Sequence, residues 1–191
     1  MTTTTPSRTD RAARRRGFTL VEVMIGAALS SFILAGVLSS FLFLGRSGAN
    51  VQNYNDMESQ ARKALEIFAE DVRQASSITW NSSTSITLTV NAASVLYAYD
   101  GTARTFVRRD AASTRVLISG VTPGSFSFKG YTITGTEIAA LSSAAELAYA
   151  SNSTKQLQIS LAASRTNTTV VAATNTVLSA RFILRNKIVT A

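Results

Sequence analysis

The chain has 191 residues, a formal net charge of +8, and neither cysteine nor histidine. This length fits one modest domain with an appendage. The lack of cysteine excludes disulfides, thiolate chemistry and cysteine-ligated metals, and the lack of histidine removes the commonest general base and metal ligand. The composition is compatible with a location outside the cytoplasm, because secreted proteins need not contain disulfides.

Half of the net charge of +8 comes from the first 17 residues. They contain five arginines and one aspartate, a net charge of +4, and residues 18–191 contain fourteen basic and ten acidic residues, again +4. A nucleic-acid-binding surface needs basic residues on a folded face, whereas this dense cluster lies in a Thr- and Arg-rich segment that cannot bury a core. We therefore expect residues 1–16 to be disordered and expect no nucleic-acid partner.

A long apolar run follows, from Phe18 to Leu44. Its 27 residues contain one charged side chain, Glu22, and no proline. A helix of this length spans roughly 40 Å, more than the roughly 30 Å hydrocarbon core of a bilayer. The run predicts a transmembrane helix over residues 18–44. The arginine-rich flank should stay in the cytoplasm, which places the carboxyl terminus outside.

Two plain interpretations of this run remain open. A secretory signal peptide would explain the arginines and a small-residue site at Ser47-Gly48-Ala49, but its apolar core is usually about 7–15 residues long. A simple single-pass anchor explains the length and the charge flank. Neither interpretation gives Glu22 a purpose.

A third interpretation uses the segment from Arg14 to Glu22, which reads RRRGFTLVE. This segment resembles the processing motif of type IV prepilins. The resemblance implies that a prepilin peptidase removes residues 1–17 by cutting between Gly17 and Phe18 and then methylates the Phe18 amine. It also implies an assembly role for Glu22 and a leader-recognition role for three arginines, Arg14, Arg15 and Arg16.

Glu22 is also unusual on physical grounds. A carboxylate deep in a membrane helix costs on the order of 2.5–3.5 kcal/mol, so such a residue is a functional candidate by default. The candidate partner is the Phe18 α-amine of a neighbouring subunit, since a buried ion pair can fix the register between helices. The plain alternative is that Glu22 reaches the headgroups and has no further role.

Residues 45–75 predict an amphipathic extension of the same helix. Apolar residues recur at spacings of three and four, and Glu58 and Arg62 form an i,i+4 pair. The segment from Glu58 to Ala75 is similar to the start of the globular domain in W-type minor pilins and J-type minor pseudopilins of type II secretion. The predicted apolar stripe consists of Val51, Tyr54, Met57, Ala61, Leu65, Phe68, Val72 and Ala75.

Residues 76–191 predict a β-rich globular domain. Alternating Ser, Thr, Val and Ile, with turns such as Asp100-Gly101 and Pro123-Gly124, indicate antiparallel hairpins. We expect an α+β fold in which one sheet, or two, packs on the amphipathic half of the helix. Residues 137–150 are a short helix or an apolar-faced loop, and residues 164–176 are a loop. The predicted strands are Ile86–Val90, Ser94–Tyr99, Arg104–Arg108, Val116–Ser119, Ser125–Thr134, Gln156–Ala162 and Val177–Arg185. The segment Ala180–Asn186 also resembles the final strand of the W- and J-type proteins.

The sequence contains no catalytic motif that we can identify. Ser and Thr are abundant but have no histidine to activate them, and no phosphate-binding loop or metal-ligand cluster is present. Asp100 and Asp110 lie in predicted turns without the cluster of oxygen ligands that calcium requires. We therefore expect no enzymatic activity, no catalytic residue, no metal and no cofactor. Six aromatic residues are expected in the core or on a sheet face: Tyr97, Tyr99, Phe106, Phe126, Phe128 and Tyr131.

Together these features predict a structural subunit. The resemblance implies a minor pilin or pseudopilin of a type IV pilus or type II secretion pseudopilus, held in the inner membrane before assembly. The expected partners are prepilin peptidase, other pilins or pseudopilins, and membrane lipid. The alternative is a periplasmic binding or enzymatic domain that uses the helix only as an anchor.

Overall fold

The computed structural model describes residues 17–139, 141–167 and 170–189. For the described residues between 166 and 177 it describes the backbone only. The chain divides into two compact units, Met1–Gly45 and Arg46–Ala191. The fold class is α+β, as predicted: a long amino-terminal apolar helix is combined with antiparallel sheets, as in pilins.

Helix α1 covers Leu20–Gln74 and continues through Gly45 and Gly48. Its apolar side chains in the first unit are exposed on every side, including Leu20, Phe32 and Phe41. Within the part of the chain that the structure describes, α1 is the one helix whose length and composition would allow it to cross a membrane.

Among its described residues, the second unit contains the rest of α1, nine strands and helix α2, which covers Ala144–Ser153. The first sheet has five antiparallel strands in the order β1-β2-β3-β4-β5. These strands are β1 (Ser77–Ser82), β2 (Ser85–Val90), β3 (Ala93–Asp100), β4 (Thr105–Arg109) and β5 (Thr114–Ser119).

The second sheet has four antiparallel strands in the order β7-β6-β8-β9. Two strands are short and two form a long hairpin. They are β6 (Ser127–Tyr131), β7 (Glu137–Ile138), β8 (Gln156–Asn167) and β9 (Val170–Ile183).

One local prediction was wrong, one placed a helix too early, and one strand was not predicted. The segment 164–176 was expected to be a loop, but its described residues belong to β8 and β9; it is rich in Thr and Val, whose branched side chains favour strands. The short helix begins at Ala144 instead of residue 137, because Ser143 caps it and the preceding Glu137–Ile138 pairs with β6. Strand β1 was missed, although its apolar residues alternate.

The predicted apolar stripe of α1 is largely confirmed in the second unit. Met57, Ala61, Phe68 and Val72 are buried, together with Ala75 just past the helix end. Leu65 is half-buried and its neighbour Ala64 lies in the core instead. The prediction fails for Val51 and Tyr54, which are 58% and 47% exposed and precede the residues that the sheets cover.

Phe68 is the centre of the core. It is fully buried, and its ring lies 5.0 Å from that of Tyr97 and 5.9 Å from that of Phe128, centroid to centroid. Tyr97 belongs to the first sheet and Phe128 to the second, so one side chain of α1 joins both sheets. Of the six aromatic residues predicted to be internal, five are buried and Tyr99 is half-buried.

A polar cluster also fastens α1 to the first sheet. Asp71 is 8% exposed, and its Oδ2 accepts hydrogen bonds from Tyr97 Oη at 2.5 Å and Arg108 Nε at 2.7 Å. Arg108 also pairs with Asp110. Burial, and then the hydrogen bond to Asp71, raise the pKa of Tyr97, so its hydroxyl stays a donor at neutral pH. Both hydrogen bonds go to Oδ2 of this buried carboxylate, and they join α1 to β3 and β4.

Candidate functional site

The backbone at Gly17 and Phe18 is irregular and precedes the first turn of α1. Phe18 is 86% exposed, and no described residue lies within 4 Å of the position that a Cβ of Gly17 would occupy. Exposed backbone outside helices and strands is the preferred substrate of proteases. The peptide bond between these two residues is therefore accessible to an enzyme.

Thr19 and Glu22 form a capping box at the start of α1. Glu22 Oε2 accepts hydrogen bonds from Thr19 N and Thr19 Oγ1, each at 3.0 Å, and Thr19 Oγ1 accepts one from Glu22 N at 3.2 Å. This reciprocal pattern satisfies backbone donors that a helix start leaves unpaired. The negative charge also lies at the positive end of the helix dipole.

The capping box occupies only one carboxylate oxygen of Glu22. Oε1 accepts no hydrogen bond from any residue that the structure describes, and apolar side chains such as Val21, Val23 and Ile25 surround the position along the helix. The site therefore presents one free anionic oxygen within an apolar surface. Such an oxygen can accept a hydrogen bond from a donor outside the chain or form an ion pair with a cation there.

Sequence reasoning identified Glu22 but not its partner Thr19. The signal was present, because Thr-x-x-Glu before an apolar run is the sequence pattern of a capping box. Arg14, Arg15 and Arg16, which were expected to be recognised in the leader, lie outside the described residues, as does the rest of segment 1–16.

The carboxylates of the two turn aspartates accept hydrogen bonds from backbone N–H groups of the turns in which they lie. Asp100 Oδ1 accepts from Thr102 N and Ala103 N, and Asp110 Oδ1 accepts from Ser113 N at 2.8 Å. Within the described ranges, no group of three or more acidic side chains is placed to hold a metal ion.

Two comparisons bear on the site. Residues 12–38 match the sequence model of a family described as the prokaryotic N-terminal methylation motif. A search of curated proteins finds no match to the chain. The matched range contains Gly17, Phe18, Thr19 and Glu22, and it is consistent with a type IV pilin-like protein.

Proposed function

We propose that this chain is a minor pilin or minor pseudopilin, a structural subunit of a type IV pilus or type II secretion pseudopilus. A prepilin peptidase cuts it between Gly17 and Phe18 and methylates the new amine. The subunit waits in the inner membrane with its amino terminus in the cytoplasm and its β-rich domain outside. Assembly with other pilins or pseudopilins then proceeds through the apolar helix.

One observation carries the proposal: a glutamate is the fifth residue after an accessible Gly17–Phe18 bond, inside the matched motif. A plain anchor has no use for a carboxylate that costs on the order of 2.5–3.5 kcal/mol to place in a membrane. The capping box reduces this cost but leaves Oε1 of Glu22 without a partner among the residues that the structure describes. The Phe18 α-amine of a neighbouring subunit would complete it, and that amine exists only after cleavage.

The helix surface is also suited to close packing. A shallow groove of about 400 Å³ runs along α1 beside Gly36 and Ser40 and is walled by larger apolar residues. Small residues let membrane helices approach closely. This surface supports assembly through the helix, with membrane lipid covering it beforehand.

Placement among the minor subunits rests on two features. The chain has no cysteine, and so cannot contain the carboxyl-terminal disulfide that many major pilins have. Its segment from Glu58 to Ala75 is similar to W-type minor pilins and J-type minor pseudopilins. We propose a structural role and no catalysis, since the whole sequence lacks both histidine and cysteine.

The competing function is a periplasmic binding or enzymatic domain held by a simple anchor. The two functions differ in what Glu22 does. We propose to compare Glu22→Ala and Glu22→Gln with Glu66→Ala, a control at an exposed position of the same helix. In cells with the assembly machinery, both Glu22 variants should be processed normally but be missing from sheared filaments. Incorporation of Glu22→Ala at the level of the control would contradict the proposal.

A further inference from the structure

The five-stranded sheet has one closed edge and one open edge. At the closed edge, α2 covers β1, and Trp80 N donates to Ser151 Oγ at 2.9 Å. At the other edge, β5 pairs with β4 alone among the described residues. An open edge strand offers unpaired backbone N–H and C=O groups to another strand.

A groove runs between this edge and α1. Its volume is about 550 Å³, and it is closed at one end where Ser119 Oγ donates to Gln60 Oε1 at 3.4 Å. Ala64 and Leu117 are buried in its floor, while Val116 is 55% exposed. An exposed branched apolar side chain on an open edge is the kind of residue that a partner strand would cover. Lys63 and Arg115 also line the groove.

The groove is positively charged. Arg115 lies opposite Arg108 in the β4–β5 register, and Arg108 is held by Asp71 and Asp110. In the described part of the chain, neither Arg115 nor Lys63 has a carboxylate partner, and the lining contains no acidic residue. The groove thus offers two unpaired cations beside an unpaired strand.

The charge of the domain argues against a second copy as occupant. Residues 46–191 contain fourteen basic and nine acidic residues, a net charge of +5. Edge-to-edge pairing of two β5 strands would bring two copies of Arg115 and Lys63 together, and like charges that face each other across strands are destabilising. Complementarity therefore favours a different, acidic partner.

We propose that β5 and this groove bind an extended acidic segment of another protein, which adds a sixth strand to the first sheet. Its backbone would bond to the outer side of Thr114–Ser119, an apolar side chain would cover Val116, and its carboxylates would pair with Lys63 and Arg115. This is recognition by strand addition, in which the backbone supplies affinity and the side chains supply specificity. The binding concerns the β domain and does not depend on processing or on Glu22.

The test uses short synthetic peptides and the full chain in a neutral detergent. One peptide alternates valine with glutamate, a second alternates valine with lysine, and a third copies residues 113–119 of this chain. We expect the glutamate peptide to bind at least about tenfold more tightly than the other two. Bound glutamate peptide should slow hydrogen exchange at the amides of residues 114–119. Equal binding of the lysine peptide, or stronger binding of the self-peptide, would overturn the proposal.

Reversing the charge of residue 115 separates the proposal from a simple loss of folding, because an unfolded variant would bind neither peptide. Arg115→Glu should weaken binding of the glutamate peptide by about tenfold and strengthen binding of the lysine peptide, because the net charge of the groove lining falls from +2 to zero and a repelled lysine gains an acidic partner. Arg185→Glu, a matched change at an exposed residue outside the groove, should leave both affinities unchanged. An Arg115→Glu variant that keeps its preference for glutamate would contradict the assignment. The peptide-binding measurements do not require filament assembly. Absence of peptide binding would therefore overturn this inference and leave the proposed pilin function untouched.

Discussion

Glu22 Oε2 accepts hydrogen bonds from both the backbone N–H and the hydroxyl of Thr19, each at 3.0 Å. The acid that we propose acts in assembly is thus also part of the capping box at the start of α1. The two roles are compatible because they use different oxygens. Thr19 fixes Oε2 and the side-chain direction, while Oε1 remains for a partner outside the chain.

The capping role predicts a selective effect of Thr19→Val. This variant keeps the shape and the backbone donor but loses the hydroxyl that both donates to Glu22 and accepts from its N–H. We expect the first turn to fray, with a loss of about 1 kcal/mol of local stability. Hydrogen exchange at residues 20–23 in detergent micelles measures this loss. Thr19→Ser keeps the hydroxyl and should behave like the wild type; equal protection in the Val variant would contradict the capping role.

A second prediction concerns the cluster that joins α1 to the first sheet. Asp71→Ala leaves the buried Tyr97 hydroxyl without its acceptor and removes one of the two carboxylates of Arg108. Breaking a buried charge cluster costs about 3–5 kcal/mol of unfolding free energy. Urea unfolding of the full chain in detergent measures the loss.

The matched control is Asp56→Ala. Asp56 is 55% exposed and pairs with Arg165 at 3.7 Å, so its loss should cost less than about 1 kcal/mol. Equal effects of the two alanine variants would show that the Asp71 cluster does not hold the helix to the sheet.

The β domain should lose stability in acid. The backbone N–H of Ser113 is the main cause that lowers the pKa of Asp110, and that of Ser143 lowers the pKa of Glu146. Because the folded-state pKa lies below the unfolded value, the unfolded state binds more protons in this range. The stabilisation from these two groups is therefore complete above the ordinary pKa values of 3.8 and 4.5, begins to fall below them, and is lost as pH drops through the lowered folded-state pKa values.

Thermal unfolding between pH 7 and pH 3 measures this dependence. The melting temperature should be lower at the acid end, and Glu146→Gln should show a smaller fall, because the glutamine has no charge to lose. A melting temperature that rises on acidification would contradict the assignment of these two carboxylates.

Replacing Gly130 with a larger residue should disturb the packing of the core. A Cβ at this position would lie 2.8 Å from Thr154 Oγ1 and 3.0 Å from Trp80 Cζ2. Thr154 is fully buried and accepts from Trp80 Nε1 at 3.0 Å, so neither neighbour can move freely. Gly130→Ala should cost about 1–3 kcal/mol of unfolding free energy. Gly101→Ala, whose Cβ would meet only ordinary contacts, is the control; similar stabilities of the two variants would contradict the packing argument.

Much of the fold was readable from local pattern. The strands predicted at Ile86–Val90 and Ser94–Tyr99 are present as β2 and β3, because their local sequence pattern and the turns beside them already favour strands. The predicted strands of the β8–β9 hairpin were too short, because its Thr- and Asn-rich part has the composition of a loop. Only pairing with the neighbouring strand makes this part extended. Pairing between distant segments is a tertiary effect that local propensity does not record.

The site was readable for a different reason. A lone acid in an apolar helix is costly, so Glu22 stands out without any knowledge of the fold. Asp71 escaped notice because acids are ordinary in amphipathic helices, and only the structure shows that Tyr97 and Arg108 meet it. The edge groove at β5 was equally hidden, since Lys63 and Arg115 come together only when helix and sheet pack.

The most direct test of the proposed function is the mass of the mature amino terminus, from protein produced with a prepilin peptidase. Trypsin cuts after Arg16 and Arg46, so an uncut chain yields a peptide that begins at Gly17. Processing should instead yield Phe18–Arg46, lacking the glycine and carrying one added methyl group. A peptide that retains Gly17, or a mature chain that begins at Asn50, would contradict the proposal.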